Sequence, residues 1–272
     1  MGDLIVSFAL LGGVVLFCEL LRAAAARRFG DTPIGACVAE SVSTFQLCAC
    51  THELKLLSDT GRVAPQVGLT LTYAVAAVHS LTFQGSTCNP CGALERACRG
   101  SLPCAGAVAR VGCQFAAAAA ARCAVPLVWA LGLSDLHRGH TLLGFGCVSP
   151  VGGALLRGAA VELACAFTMQ TVLSRLQTVE ERYRVHATAL FVTMLVYAGG
   201  SVTGAVFNPA LAFSTQFTCI GNTFLELCFV YWLGPLLGTV SSLLLLDAVV
   251  PLILGTRDRE PNGSSRQHRK SQ

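Results

Sequence analysis

Two asparagines stand at matching places in the two halves of the chain, each followed by a proline. Asn89 precedes Pro90 and Asn208 precedes Pro209, and each asparagine follows a glycine by four residues. Proline at the first helical position loses only an N–H that would be unpaired in any case, and asparagine is among the preferred N-cap residues. Each pair therefore predicts the start of a helix with an amide side chain at its N-terminus.

The chemistry of these two helix starts depends on whether they meet. A helix N-terminus carries the equivalent of about half a positive elementary charge. Two N-termini facing each other would repel a cation or hydronium. Their Asn89 and Asn208 amides could still hydrogen-bond a neutral molecule that carries oxygen atoms. The pairing therefore predicts a site that tolerates small neutral solutes.

The elements that would position these residues are apolar stretches, because a helix needs about 20 mostly apolar residues to cross a membrane. Two apolar pieces, Pro90–Arg99 and Pro209–Cys219, are too short to cross and are predicted to be re-entrant half-helices lining a protein-covered cavity. Seven longer segments are predicted to span: Leu4–Leu21, Ile34–Leu57, Gln66–Phe83, Gly106–Leu131, Ala154–Leu176, Val185–Ala198 and Leu225–Leu254.

The order of these segments forms an internal repeat. After the first segment, each half reads span, span, half-helix, span, which gives repeat 1 at 34–132 and repeat 2 at 154–254. Three spans per half is an odd number, so the two halves enter the membrane from opposite faces and the repeat is inverted. The two half-helix N-termini are then expected to meet near the midplane of one channel domain, 34–254.

Composition excludes other classes of protein. Only 12% of the residues are charged, whereas a soluble domain carries about 25%, so a soluble enzyme is not expected. The formal net charge is +4, without the concentrated basic face that nucleic-acid binding requires. Membrane lipid is the expected surrounding, and no cofactor or metal is expected.

The two ends of the chain are interpreted from their charges. Residues 1–33 form an apolar segment and a basic linker, with Asp3 before the segment and Arg22, Arg27 and Arg28 after it. That charge order is wrong for a cleaved signal, so an uncleaved anchor is predicted, with a helix lying at the interface as the alternative. Lys and Arg in the short loops place the polar tail, 255–272, in the cytosol, where it is predicted to be disordered.

At the paired half-helices the chain resembles the aquaporins, or major intrinsic proteins, over roughly Ile34 to Leu254. The resemblance implies an all-α membrane channel of six spanning helices and two re-entrant half-helices, here with an extra N-terminal hydrophobic helix, and a homotetramer. Glu40 and Glu162 lie in the first span of each repeat, where the family keeps a glutamate that holds the re-entrant loop. The pore signature is Asn89, Pro90, Cys91 and Asn208, Pro209, Ala210.

Two departures place the chain within the family. The usual Ala of the first signature is Cys91, and Cys219 follows Ala210 by nine residues, which resembles the unorthodox superaquaporin branch. That branch implies an endoplasmic reticulum membrane, with the plasma or a vesicle membrane as alternatives. It also implies passage of water, glycerol and hydrogen peroxide. Cys219 is expected to have a structural role.

The outer constriction is expected to be apolar. Leu211 occupies the position after the second signature, where typical aquaporins have Arg, and an ungapped count places its partners at Leu69, Val196 and Ala205. Selection by size and desolvation should then dominate. Water should pass slowly, and neutral solutes that are less strongly hydrated should pass relatively well. Cations would then be excluded only by the facing half-helix N-termini at Asn89 and Asn208.

Alternatives remain open. Cys88 and Cys91 have the spacing of a thiol–disulfide motif but lack the βαβ context of such motifs, and a zinc site built on them lacks a fourth ligand. Most other cysteines are expected to be small packing residues. The alternative function is a poorly conducting structural or regulatory protein of the endoplasmic reticulum membrane.

Overall fold

The computed structural model describes residues 2–253 and is almost wholly helical, which confirms the predicted all-α membrane fold. The predicted cytosolic tail, 255–272, lies outside the described residues. The helices are α1 (Gly2–Phe29), α2 (Pro33–Asp59), α3 (Pro65–Thr82), α4 (Pro90–Cys98), α5 (Cys104–Ala130), α6 (Asp135–Leu142), α7 (Leu155–Leu176), α8 (Glu181–Thr203), α9 (Pro209–Thr215) and α10 (Phe224–Ile253).

A helix lies at each of the seven segments predicted to span. Five of them, α1, α2, α5, α8 and α10, are long and apolar enough to cross a membrane by length and composition. Helices α3 and α7, of 18 and 22 residues, are not among these five. The short polar helix α6 was not predicted; it begins where the Ser134 hydroxyl accepts a hydrogen bond from the His137 amide.

The two repeats have the same order of elements, α2–α3–α4–α5 and α7–α8–α9–α10. Packing follows the same symmetry, since α2 lies against α5, α7 lies against α10, and α3 meets its counterpart α8. We call the end of the bundle that holds α6 the α6 end, and the opposite end, where α4 finishes, the α4 end. The charge pattern of the sequence predicts that the α4 end faces the cytosol.

The closest helix contact joins α7 and α10. A Cβ atom added at Gly234 would lie 2.9 Å from the Ala159 carbonyl oxygen, and one at Gly238 would lie 2.9 Å from the Phe167 amide nitrogen. Small residues four apart are a common way for membrane helices to bring their backbones together. These two glycines therefore set the distance between α7 and α10.

Helix α10 contains two π-helical turns, Phe229–Leu233 and Leu245–Val249. Each turn is followed within two residues by a proline, Pro235 and Pro251. Proline removes an N–H and displaces the preceding turn of a helix, and a π turn accommodates that displacement. The first π turn also places the buried Tyr231 hydroxyl 2.7 Å from the carbonyl oxygen of Thr203, to which it donates.

Helix α1 runs antiparallel to α2 and is attached to it by polar contacts. The buried Arg22 guanidinium donates to Gln46 Oε1 at 2.8 Å and pairs with Glu19 at 2.8 Å. Near the other end, the Ser7 hydroxyl donates to Glu53 Oε1 at 2.5 Å. These contacts support the prediction of an anchor helix over one lying at the interface.

Candidate functional site

Asn89 and Asn208 are the N-caps of the half-helices α4 and α9. The Oδ1 atom of Asn89 accepts a hydrogen bond from the Cys91 amide at 3.0 Å. The Oδ1 atom of Asn208 accepts from the Ala210 amide at 3.1 Å and the Leu211 amide at 3.3 Å. Pro90 and Pro209 occupy the first helical positions. The side-chain oxygens are therefore committed to the helices, while the amide nitrogens remain available.

The two amide nitrogens cross to the opposite repeat. Asn89 Nδ2 donates to the Phe207 carbonyl oxygen at 3.2 Å, and Asn208 Nδ2 donates to the Cys88 carbonyl oxygen at 2.8 Å. The N-termini of α4 and α9 are thereby brought together, as the inverted repeat predicts. An amide nitrogen carries two hydrogens, so each asparagine keeps one N–H for a passing solute.

The residue before each asparagine has a left-handed backbone. Cys88 has a φ of 52° and Phe207 a φ of 37°, a region that costs a residue with a side chain roughly 1–2 kcal/mol. This conformation turns the carbonyl group of each residue towards the asparagine of the other repeat. The strain is therefore part of the geometry that joins the two half-helices.

Two buried glutamates accept hydrogen bonds from the strained loops that precede α4 and α9. Glu40 accepts from the Cys88 amide at 2.6 Å and from the Thr87 hydroxyl at 2.8 Å. Glu162 accepts from the Phe207 amide at 2.6 Å and the Val206 amide at 3.0 Å. Because each glutamate satisfies at least two buried donors of its loop, which would cost free energy if left unpaired, these hydrogen bonds can offset the backbone strain.

The four predicted constriction residues lie in the half of the bundle towards the α6 end. Leu211 is half-buried on the first turn of α9, and Ala205 is buried in the loop that leads to it. Leu69 and Val196 are half-buried on α3 and α8. Leu211 packs against two core clusters, one of which contains Ala210. All four side chains are apolar, so they offer a passing solute no hydrogen bonds of their own.

Cys219 forms a disulfide with Cys147, a partner that sequence reasoning missed. The bond joins the connection between the repeats to the segment after α9, at the α6 end. Both residues lie at the end opposite the one that the charge pattern predicts to be cytosolic, and disulfides persist on non-cytosolic faces. Cys88 and Cys91 are buried and carry free thiols.

Comparison with known proteins agrees with this geometry. The family model described as major intrinsic protein matches residues 27–245. The chain is similar to aquaporin-11 of Homo sapiens (39% identical over 250 residues, 92% of this chain and 91% of the relative) and to aquaporin-12 of Mus musculus (35% over 257 residues, 92% and 88%). The resemblance to the superaquaporin branch is thus confirmed. The chain belongs to the major intrinsic protein family, the aquaporins, whose members are membrane channels and not enzymes.

Proposed function

We propose that this multi-pass membrane protein is a passive channel for water, glycerol and hydrogen peroxide. The observation that carries the proposal is the crossed hydrogen bonding of Asn89 and Asn208 to Phe207 and Cys88. It fixes two helix N-termini face to face and leaves one N–H on each asparagine. A solute with an oxygen acceptor can replace there the hydrogen bonds that it leaves behind in water.

The constriction sets the order of preference among these solutes. The side chains of Leu211, Leu69, Val196 and Ala205 offer no donor or acceptor, so a solute must give up hydration to pass them. Water loses most of its hydrogen bonds at such a site. Glycerol and hydrogen peroxide are therefore expected to pass well relative to water.

The site of action follows from the superaquaporin resemblance. We propose that the protein acts in the endoplasmic reticulum membrane as a homotetramer, with the plasma or a vesicle membrane as a further location. A second function, a poorly conducting structural or regulatory membrane protein, is favoured by one observation: Leu211 packs against two core clusters, so an apolar side chain is held in place at the predicted constriction.

Stopped-flow measurements on proteoliposomes separate these two functions. Wild-type protein should raise water, glycerol and hydrogen peroxide fluxes above those of empty vesicles. Asn208→Asp keeps the capping oxygen but removes the amide donor, so the fluxes should fall severalfold. The matched control is Asn222→Asp, since Asn222 donates to the Gly152 carbonyl at the α6 end and should leave the fluxes unchanged. Wild-type fluxes equal to those of empty vesicles for all three solutes would establish the second function instead.

A further inference from the structure

An arginine without a carboxylate partner lies on the spanning helix α5. Arg122 is eight residues before Ala130, where α5 ends, which is about 12 Å into the helix at 1.5 Å per residue. Its side chain is half-buried, and within residues 2–253 no ion pair of Arg122 is found. A charge inside a membrane span is costly to bury and indicates a function.

The Arg122 guanidinium is held beside the second half-helix. Its Cζ atom lies 5.0 Å from the centroid of the Phe213 ring, and Phe213 is two residues beyond Leu211 on α9. On α5, Ala118, one turn before Arg122, and Ala121, directly before it, pack in the cluster that contains Ala210 and contacts Leu211. The positive charge therefore lies beside the half-helix α9 that carries Leu211.

The aromatic ring of Phe213 orients the Arg122 guanidinium. The face of an aromatic ring attracts a cation, and the Phe115 ring packs edge-on against Phe213, with 5.7 Å between the ring centroids. The guanidinium thereby gains a stabilising contact without being neutralised. A neutral side chain of similar size could fill the same space, so packing alone does not account for an arginine at this position.

We propose that Arg122 is a specificity-determining residue that repels cations at the α6 end of the conduit. The proposal rests on the proposed channel function. Fields in a narrow path between apolar walls are focused rather than screened, so a charge beside α9 acts on an ion that approaches the constriction. Cation exclusion then has two sources, the paired half-helix N-termini and Arg122, whereas the sequence alone predicted the first only.

The test compares proton flux with neutral-solute flux in proteoliposomes of the full chain. Arg122→Gln should raise proton permeability about tenfold relative to glycerol permeability, measured with an entrapped pH-sensitive dye after a pH step. Tenfold corresponds to about 1.4 kcal/mol, the scale of a unit charge about 10 Å away in a partly screened environment. Arg122→Lys keeps the charge and should restore the wild-type ratio.

A matched control removes an exposed charge at the same end. Arg138 donates to the Gly132 carbonyl oxygen at 2.8 Å and is exposed, so Arg138→Gln should leave the ratio unchanged. An unaltered ratio in Arg122→Gln, or an equal loss of all fluxes in both Arg122 variants, would overturn the role of Arg122 while leaving the channel intact. Absence of any neutral-solute flux in the wild-type protein would overturn the channel function and the inference together.

Discussion

Glu40 and Glu162 each accept hydrogen bonds from the loop before a half-helix, but their other partners differ. Besides its loop, Glu40 accepts from Gln114 Nε2 at 2.8 Å and lies 3.8 Å from Arg110. Glu162 is fully buried, and within residues 2–253 its hydrogen bonds come only from Thr203, Val206 and Phe207, including the Thr203 hydroxyl at 2.5 Å. Repeat 2 therefore depends more completely on a single carboxylate.

Replacing that carboxylate should destabilise the second half-helix. In Glu162→Gln an amide N–H₂ would replace one of the two acceptor oxygens and would face either the Val206 amide or the Phe207 amide, which bind different oxygens. A buried donor left unsatisfied costs about 1–3 kcal/mol, so the unfolding free energy should fall by roughly that amount and glycerol flux should fall with it. Heat-induced aggregation in detergent and stopped-flow flux measure the two effects.

The control for this prediction is the exposed Glu180, which pairs with Arg182 at 2.9 Å. Exposed ion pairs contribute about 0–1 kcal/mol, so Glu180→Gln should leave both stability and flux nearly unchanged. A Glu162→Gln protein with wild-type stability would show that the loop does not need the carboxylate.

Among the site residues, the sequence predicted those whose chemistry is local. An Asn-Pro pair that opens a short apolar stretch favours a capped helix start, so Asn89 and Asn208 could be placed without coordinates. The Cys147 partner of Cys219 and the Phe213 partner of Arg122 could not be predicted. Each depends on how separate elements pack, and neither leaves a pattern in the spacing of residues.

At the level of elements, the length of the apolar stretches predicted every spanning helix, because crossing lipid requires a fixed length. The ends of the helices were predicted less accurately than their existence. Helix α8 begins at Glu181 rather than at the predicted Val185, and α9 ends at Thr215 rather than at the predicted Cys219. Helix ends depend on capping and on neighbouring elements rather than on hydropathy. The π turns of α10 were missed for the same reason.

The contact between α7 and α10 gives a prediction at this scale. In Gly238→Ala the new methyl group would meet the backbone of Leu163 and Phe167, which cannot move aside as a side chain can. Overpacking of this kind costs about 1–3 kcal/mol, so heat stability should fall clearly. Nothing lies within 4 Å of a Cβ at Gly112 of α5, so Gly112→Ala should be neutral or stabilising.

Equal stability of the two alanine variants would contradict this account. The comparison is well matched because both glycines lie inside spanning helices, so the intrinsic gain in helix propensity is the same in each. Any difference between them then reports the packing of α7 against α10.

At the scale of the whole molecule, the disulfide joins residues that are 72 apart in sequence. Backbone hydrogen bonds beside it run from the Ser149 amide to the Ile220 carbonyl and from the Ile220 amide to the Cys147 carbonyl, each 2.9 Å long. Together they attach the connection between the repeats to the chain that leaves α9. The disulfide thus holds the segment that follows α9 against the rest of the bundle at the α6 end.

Loss of the disulfide should lower stability by the same amount whether Cys147 or Cys219 is replaced. Closing a loop of this length contributes about 4 kcal/mol in the chain-entropy model. Cys147→Ser, Cys219→Ser and the double variant should therefore show one common decrease in melting temperature, and a reductant should bring the wild-type protein to that level. The exposed free thiol Cys98 provides the control, since Cys98→Ser should melt as wild type does. A double variant clearly less stable than both single variants would argue against a shared bond.

The crossed asparagine contacts also have a consequence for biosynthesis. The hydrogen-bond donor to the Cys88 carbonyl oxygen is Asn208, and the acceptor for Asn89 is the Phe207 carbonyl oxygen. Both partners are synthesised with the second repeat. At about 5–20 residues per second, the 120 residues between Cys88 and Asn208 take roughly 6–24 s to synthesise. During that interval the first re-entrant loop is in the membrane without the partner that completes it. A ribosome that stops between the repeats therefore leaves no half-sized channel, and the newly made first repeat must be kept from aggregating until the second arrives.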